Sequence, residues 1–187
     1  MDPRVGRFTL AVIFLAGCLA LPAGCRAHPQ GGIAVPLELK SPDFTSGATI
    51  PNQFTCDAAD ISPALAWNDP PAATQSFALI ADDPDAPVGT WVHWVLFDLP
   101  ASARSLPQNV SKQEQLADGS RQGRNDFRKI GYGGPCPPPG KPHRYFFKLY
   151  ALDTRLNLQP GATKKDVERA MQGHILAQGE WMGRYAR

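Results

Sequence analysis

The chain has little of what identifies several large classes of protein. Charged residues make up only 19% of its 187 positions, and 19 lysines and arginines face 17 aspartates and glutamates without a basic run. Binding a row of phosphates requires clustered positive charge, so we expect no nucleic-acid partner. The chain also lacks a Gly-x-Ser-x-Gly motif and a phosphate-binding P-loop, which counts against hydrolysis and nucleotide turnover.

The apolar run near the N-terminus is also short. It covers residues 8–17, and a helix of this length does not comfortably cross about 30 Å of hydrocarbon. Arg4 and Arg7 precede it and small residues follow it, a pattern typical of an export signal. Residues 1–25 are therefore predicted to be a signal peptide, with a single transmembrane anchor as the alternative.

Two cysteines are candidates for lipid modification. Residues 15–18, Leu-Ala-Gly-Cys, resemble a bacterial lipobox, and residues 22–25, Pro-Ala-Gly-Cys, are a poorer match. The leucine favours Cys18, whereas cysteine parity favours Cys25, because modification there leaves two cysteines in the mature domain. Residues 26–35 are predicted to be a flexible tether. We expect a lipid-anchored protein of the cell envelope, in the periplasm or on the outer membrane face.

The rest of the chain, residues 36–187, has the length of one domain. The chain contains 17 glycines and 19 prolines, which suits short strands joined by turns and predicts an all-β class. Alternation and β-branched or aromatic residues predict three main strands, at residues 76–82, 91–98 and 143–152. Weaker strands are predicted at residues 36–40, 53–56, 64–67 and 180–185.

One amphipathic helix is predicted late in the chain, with Thr163 as its cap and Asp166 in its first turn. Its helical repeat consists of Val167, Ala170, Met171, His174 and Ile175.

Strict alternation also predicts which side chains share a face of each strand. In the third main strand, His143 and Tyr145 point the same way and Arg144 points away. In the second, one face carries Trp91, His93, Val95 and Phe97.

Two loops concentrate the residues suited to ligand binding. Residues 82–87, Asp-Asp-Pro-Asp-Ala-Pro, project carboxylates from a backbone that the prolines stiffen. Residues 131–145 combine glycines, which allow close backbone approach, with prolines that stiffen a wall.

These loops and the strands beside them resemble a known family. Asp-Pro-Asp-Ala-Pro followed by Trp-Val-His-Trp, and then Gly-Pro-Cys-Pro-Pro-Pro-Gly-Lys-Pro-His-Arg-Tyr, are similar to the signature blocks of the phosphatidylethanolamine-binding protein family. The flanking segments 55–57, 60–63, 123–127 and 150–153 resemble its bacterial, Raf-kinase-inhibitor-like branch. The resemblance implies an antiparallel Greek-key β-sandwich with one or two short helices near the C-terminus. It also implies a small pocket for phosphate-like or acetate-like anions.

By the same resemblance, each pocket residue has a counterpart in this chain. The implied ligand-binding residues are Asp83, Trp91, His93, Gly134, Pro135, Cys136, Pro137, His143 and Tyr145. The implied supporting residues are Asp85, Pro87 and Arg144, the last expected to pair with a carboxylate such as Asp85.

A physical argument agrees with these roles. An aspartate would repel an anion, so Asp83 is expected to orient an imidazole and favour its charged form. His93 and His143 can then each donate an N–H to a ligand oxygen. Tyr145 adds an O–H, and backbone N–H groups of the glycine-rich loop complete a cradle.

Three functions follow as hypotheses. The first is a binding protein without cofactor or metal, whose partner is a small anion, a phospholipid headgroup or a phosphorylated protein, and which meets the membrane only through its lipid anchor. The second is an inhibitor or scaffold that acts on an unknown protein through its loops. The third is a metal-dependent enzyme that uses His93, His143 and Asp83.

Two local predictions accompany the resemblance. A cis peptide bond is expected in the loop 83–87, most of all at Ala86–Pro87. The resemblance places Cys56 and Cys136 in loops at the pocket end, where export would favour a disulfide, with two unpaired thiols as the alternative. Between two prolines, Cys136 is expected to be structural rather than a nucleophile.

Overall fold

The computed structural model describes residues 35–187. The predicted signal peptide, most of the tether, Cys18 and Cys25 lie outside the described residues. Between residues 35 and 187, no helix is both long and apolar enough to span a bilayer.

Strands dominate the described part of the chain. Six of them form one sheet in the order β1-β8-β7-β3-β4-β6, and β2 and β5 form a separate pair. All strand pairs are antiparallel except β1 with β8. The all-β prediction with a short helix near the C-terminus is confirmed. The elements are β1 (Val35–Pro36), a 3₁₀ helix (Asn52–Phe54), β2 (Leu65–Ala66), β3 (Ser76–Asp83), β4 (Trp91–Pro100), β5 (Ser105–Leu106), β6 (Arg121–Gln122), β7 (His143–Leu152), α1 (Lys164–Met171) and β8 (Ile175–Tyr185).

Both faces of the large sheet are covered, so its central strand β3 is buried along its whole length. One face packs against β2 and β5, and the other packs against α1. The first core cluster includes Leu65, Phe77, Leu79, Trp94, Leu96, Leu106, Phe147 and Leu149. The second includes Ala78, Ile80, Val95, Phe97, Val167 and Met171.

The helix α1 is shorter than the sequence pattern predicted. Thr163 accepts a hydrogen bond from the Asp166 N–H and the Asp166 carboxylate accepts one from the Thr163 N–H, a capping box that fixes its start. Gly173 has a φ of 80°, which turns the chain out of the helix. Ile175 then begins β8, so the prediction that His174 and Ile175 are helical is wrong.

The predicted strand at residues 53–56 is also wrong. Pro51 precedes a 3₁₀ turn at Asn52–Phe54 with a φ of −58°. The N–H and the hydroxyl of Thr55 both donate to the Asn52 carbonyl, at 2.9 and 2.8 Å. This local bonding closes a turn where an isolated strand would have needed a neighbour.

An irregularity in β4 changes the predicted faces. Ala81 pairs with Trp94 and Asp82 pairs with Val92, so His93 has no opposite residue in β3 and forms a bulge. Val95 and Phe97 pack on the helix side of the sheet. His93 instead lies against Tyr145, which belongs to the other core cluster. The prediction that His93 shares a face with Val95 and Phe97 is therefore wrong.

Candidate functional site

A cavity of about 200 Å³ opens where three strands of the large sheet end. β3 ends with Asp83, β4 begins with Trp91 and β7 begins with His143. Because β3 is antiparallel to both neighbours, its C-terminal end meets their N-terminal ends at one edge of the sheet. The lining residues are Asp83, Ala86, Pro87, Val88, Trp91, His93, Phe127, Cys136, Pro137, Pro138, His143 and Tyr145.

His93 is held rigidly at the cavity wall. The residue is only 4% exposed. Its ring packs edge-on against Tyr145 and Phe127, with centroid distances of 5.1 and 5.3 Å. Its Nδ1 atom lies 2.6 Å from the carbonyl oxygen of Gly133. Because a carbonyl can only accept, Nδ1 carries the hydrogen.

Burial lowers the pKa of His93, although the Gly133 carbonyl and the charge of Asp83 act in the opposite direction. The ring is therefore neutral at neutral pH, and its Nε2 atom is an acceptor. This differs from the expectation that His93 and His143 each donate an N–H to a ligand oxygen, because the one N–H of the neutral His93 ring is already bonded to Gly133.

His143 takes its orientation from Asp83. The His143 Nδ1 atom lies 2.8 Å from Oδ2 of Asp83, and the two side chains are 12% and 4% exposed. The second oxygen of Asp83 accepts the backbone N–H of Asp85 at 2.8 Å. Asp83 therefore orients the imidazole and holds the loop after β3 with the same carboxylate, and the Nε2 atom of His143 is left for a ligand.

Two polar groups at the cavity are enclosed without a hydrogen-bond partner among residues 35–187. They are the Tyr145 hydroxyl and the Trp91 Nε1–H. Burial raises the pKa of Tyr145 well above its ordinary value, and so do the negative charge and the nearness of the Asp83 carboxylate, so the hydroxyl keeps its proton. The carboxylate is near the hydroxyl but makes no regular hydrogen bond with it. Unpaired buried donors are costly, and both residues line the cavity.

The glycine-rich loop does not have the role predicted for it, which was to offer backbone N–H groups to a ligand. The Gly133 N–H donates to the His93 carbonyl at 2.9 Å, and the Gly134 N–H donates to Oδ1 of Asp60 at 2.6 Å. These N–H groups are thus occupied, and Gly134 and Pro135 lie behind the lining rather than in it. A Cβ atom at Gly134 would collide with the Phe54 carbonyl, which explains the glycine.

A disulfide anchors this wall to the rest of the domain. Cys56 and Cys136 are joined across 80 positions, with their Cα atoms 5.4 Å apart. The Cys56 N–H also donates to the Pro135 carbonyl at 3.1 Å. Cys136 and Pro137 line the cavity, so the crosslink limits how far this side can open.

The loop 83–87, across the cavity from Cys136, is held by an ion pair and contains no cis peptide bond. Both guanidinium contacts of Arg144 with Asp85 are short, Nε–Oδ2 at 2.8 Å and Nη2–Oδ1 at 2.7 Å. Hydrogen bonding to Arg144 lowers the pKa of Asp85 to about 2. Ala86–Pro87 is trans, like every described peptide bond, so the cis prediction is wrong. The loop is shaped by its ion pair and by the turn at Asp83, and Pro87 itself lines the cavity.

Phe127 is a wall residue that the site prediction missed. Its ring also packs edge-on against Trp91, with a centroid distance of 5.4 Å. The turn that carries it is fixed by Asp126, which accepts the Val92 N–H at 2.7 Å, and by Asn125, which donates to the Gly131 carbonyl at 2.9 Å. The only sequence signal was its place in the family-like segment 123–127. Ala86, Val88 and Pro138 were missed as well.

No group of three or more histidine, cysteine, aspartate or glutamate side chains within residues 35–187 is arranged to hold a metal ion. The geometry thus gives no support to a His93, His143 and Asp83 metal site. What the cavity offers is hydrogen-bond donors, one fixed acceptor and apolar walls.

These features define a small all-β domain with a histidine-lined cavity at one end of its sheet. The family model described as phosphatidylethanolamine-binding protein matches residues 40–186. The chain belongs to the phosphatidylethanolamine-binding protein family.

Relatives of known sequence and structure agree with this assignment. A UPF0098 protein of Methanothermobacter thermautotrophicus is 50% identical over 151 residues, which cover 81% of this chain and 99% of the relative. A phosphatidylethanolamine-binding protein homolog from Chlamydia trachomatis has a TM-score of 0.74 at 37% identity, covering 82% of this chain and 99% of that one. YbcL of Escherichia coli has a TM-score of 0.76 at 32% identity, covering 81% and 98%.

Proposed function

We propose that this protein is an exported, lipid-anchored binding protein whose cavity holds a small anionic group. The observation that carries the proposal is the convergence of His143, Tyr145 and Trp91 on one cavity, with the Tyr145 and Trp91 donors unpartnered. When its ring is protonated, His143 can donate from Nε2 while Asp83 balances the charge. Three donors around one small space suit the oxygens of a phosphate-like or carboxylate group.

The dimensions of the cavity support a small bound group. Its volume of about 200 Å³ is below the roughly 300–1,000 Å³ typical of pockets for drug-sized ligands. A phosphate-like group fits, whereas the remainder of a lipid or protein partner would lie outside. Val88 on the rim is 79% exposed, so an apolar part of a ligand would meet an apolar edge.

Calorimetric titration with inorganic phosphate tests the anion site. We expect binding to the wild-type protein and a loss of about 10- to 100-fold in affinity for His143→Ala, the range for a hydrogen bond to a charged group. The matched control is His174→Ala, because His174 also pairs with an aspartate but lies at the other end of β7. Unchanged affinity in His143→Ala would remove this residue from the site, and no phosphate binding at all would contradict the proposal.

Export and anchoring rest on the sequence of residues 1–25, and the Cys56–Cys136 disulfide supports them because disulfides persist in oxidising compartments. Labelling of cells with radioactive palmitate tests the anchor. We expect label in the wild-type protein and its loss in Cys18→Ala but not in Cys25→Ala. The reverse result would assign the lipid to Cys25, and no label in the wild type would contradict anchoring.

A role as inhibitor or scaffold remains a separate proposal, since no described contact identifies a protein partner. His143→Ala and its control His174→Ala distinguish this role from anion binding. If a partner is found, retained partner binding by His143→Ala would separate that activity from the cavity.

A further inference from the structure

His93 and His143 are both held through Nδ1, but the partner of His93 is a neutral carbonyl, whereas that of His143 is a carboxylate. The Nδ1–H of His93 is committed to the Gly133 carbonyl at 2.6 Å. Its Nε2 atom has no hydrogen-bond partner among residues 35–187, and the residue lines the cavity. A flip of the ring would lose the Gly133 bond, and the packing against Phe127 and Tyr145 restricts other rotations.

The charge state of the ring depends on its neighbours. Asp83 at the end of β3 favours a proton on His93, as does the more distant Asp82, and the Gly133 carbonyl does so by hydrogen bonding. Asp83 is engaged by His143, and Asp82 forms ion pairs with Lys148 and Lys164. Tyr145 beside the ring is uncharged. Phe127 on the other side of the ring has no charge. The effect of burial on the pKa of His93 therefore exceeds that of these neighbours, and the neutral ring keeps the lone pair on Nε2.

The cavity therefore contains one fixed acceptor, His93 Nε2, beside the Tyr145 and Trp91 donors. His143 Nε2 joins the donors when that ring is protonated. A ligand oxygen facing the Tyr145 hydroxyl or the Trp91 Nε1–H should be an acceptor. An oxygen facing His93 Nε2 must carry a hydrogen, because two lone pairs would otherwise face each other. A buried acceptor left without a donor costs binding free energy.

We infer that the cavity selects anions that carry a proton, such as the monoanion of a phosphomonoester, over anions of the same shape and charge that carry none. The inference rests on the proposed anion-binding function and makes His93 the residue that determines this specificity.

Methyl phosphate and methyl sulfate separate the two cases, because their monoanions match in shape and charge and differ in one hydroxyl. Calorimetry at about pH 7, with the affinity of methyl phosphate expressed per monoanion, should show methyl phosphate binding about 10- to 100-fold more tightly to the wild-type protein. Affinities within about twofold of each other would overturn the inference.

Proton uptake gives a readout that needs no variant. At about pH 7.5 free methyl phosphate is mainly a dianion, so binding as the monoanion should take up nearly one proton more than the binding of methyl sulfate, while protonation of His143 contributes equally to both. The number follows from binding enthalpies in two buffers of different ionisation enthalpy. Equal proton uptake with the two anions would show that methyl phosphate binds as the dianion, and would overturn the inference.

His93→Asn is the matched variant, since the asparagine amide can still donate to the Gly133 carbonyl while the Nε2 position is lost. We expect the preference for methyl phosphate to shrink to less than about threefold. A preference as strong as that of the wild type would overturn the assignment to His93. Binding of neither anion to the wild-type protein would instead contradict the proposed function itself, which separates the two failures.

Discussion

His143 and His174 each direct their Nδ1 atom at an aspartate, at 2.8 Å from Asp83 and 2.7 Å from Asp153. The pairs lie at opposite ends of β7, which is on the order of 30 Å long at about 3.4 Å per residue. The side chains of the first pair are 12% and 4% exposed, and those of the second are 45% and 41% exposed.

The surroundings, rather than the pair itself, distinguish the candidate site. Beside His143 lie the unpartnered hydroxyl of Tyr145 and the fixed acceptor of His93. His174 follows a turn on the surface, where water can satisfy the same atoms. Equal hydrogen-bond lengths can therefore accompany very different energies, because water screens the exposed pair.

Cutting the disulfide should have the largest effect, because it frees the wall that encloses the His143 pair. The double variant Cys56→Ser and Cys136→Ser should lose about 3–5 kcal/mol in the free energy of unfolding on the chain-entropy model. Urea unfolding measures this loss. Phosphate affinity should fall as well, as the wall around Cys136 loosens. Wild-type stability in the variant would show that the hydrogen bond from Cys56 to Pro135 and the core are sufficient.

Removing each aspartate compares the two pairs directly. Asp83→Ala leaves the buried His143 Nδ1–H without its acceptor and should lower the free energy of unfolding by about 1–3 kcal/mol. Asp153→Ala should cost less than about 1 kcal/mol, since its pair is exposed. Equal losses in the free energy of unfolding, measured with urea, would show that burial does not make the two pairs differ in strength.

The buried histidine of the cavity should make the protein sensitive to mild acid. The folded-state pKa of His93 lies below its ordinary value of 6.5, so the unfolded chain binds a proton first as pH falls. Stability is then fully present above about pH 6.5 and falls toward the lower folded-state pKa, by at most about 1.4 kcal/mol per pH unit. Urea unfolding at several pH values should give a shallower dependence for His93→Asn. Identical slopes would contradict a neutral buried ring.

The smallest effect is expected from the exposed ion pair between Asp85 and Arg144. The pKa of Asp85 is lowered from 3.8 to about 2, so its contribution is present above about pH 3.8 and is lost as pH falls toward 2. Asp85→Asn should therefore change acid unfolding only in this window, and added salt should shrink the difference. A large change at neutral pH would mean that the pair holds the cavity loop more firmly than its exposure indicates.

The main strands could be predicted because β3, β4 and β7 are dense in apolar residues that only a doubly covered sheet would bury. The faces of β4 could not be predicted, because the bulge at His93 depends on how β4 pairs with β3. The prediction of a strand at residues 53–56 failed for the opposite reason. Local hydrogen bonds to the Asn52 carbonyl formed a turn there, in place of pairing with a distant strand. Phe127 was missed because its loop folds against the site from elsewhere in the chain, whereas Val88 directly follows the predicted loop 82–87.

The sequence by itself determined which chemical groups are present and how the chain alternates, because these depend on residue type and on short-range backbone geometry. It placed Asp83, His143 and Tyr145 at the ends of strands that could meet. Only the tertiary structure decided that His93 is neutral with Nε2 as an acceptor, and that His143 is half-buried beside the buried Asp83 while His174 is exposed. Those properties depend on burial and on the Gly133 carbonyl, which lies 40 positions from His93 and approaches it only when the domain folds.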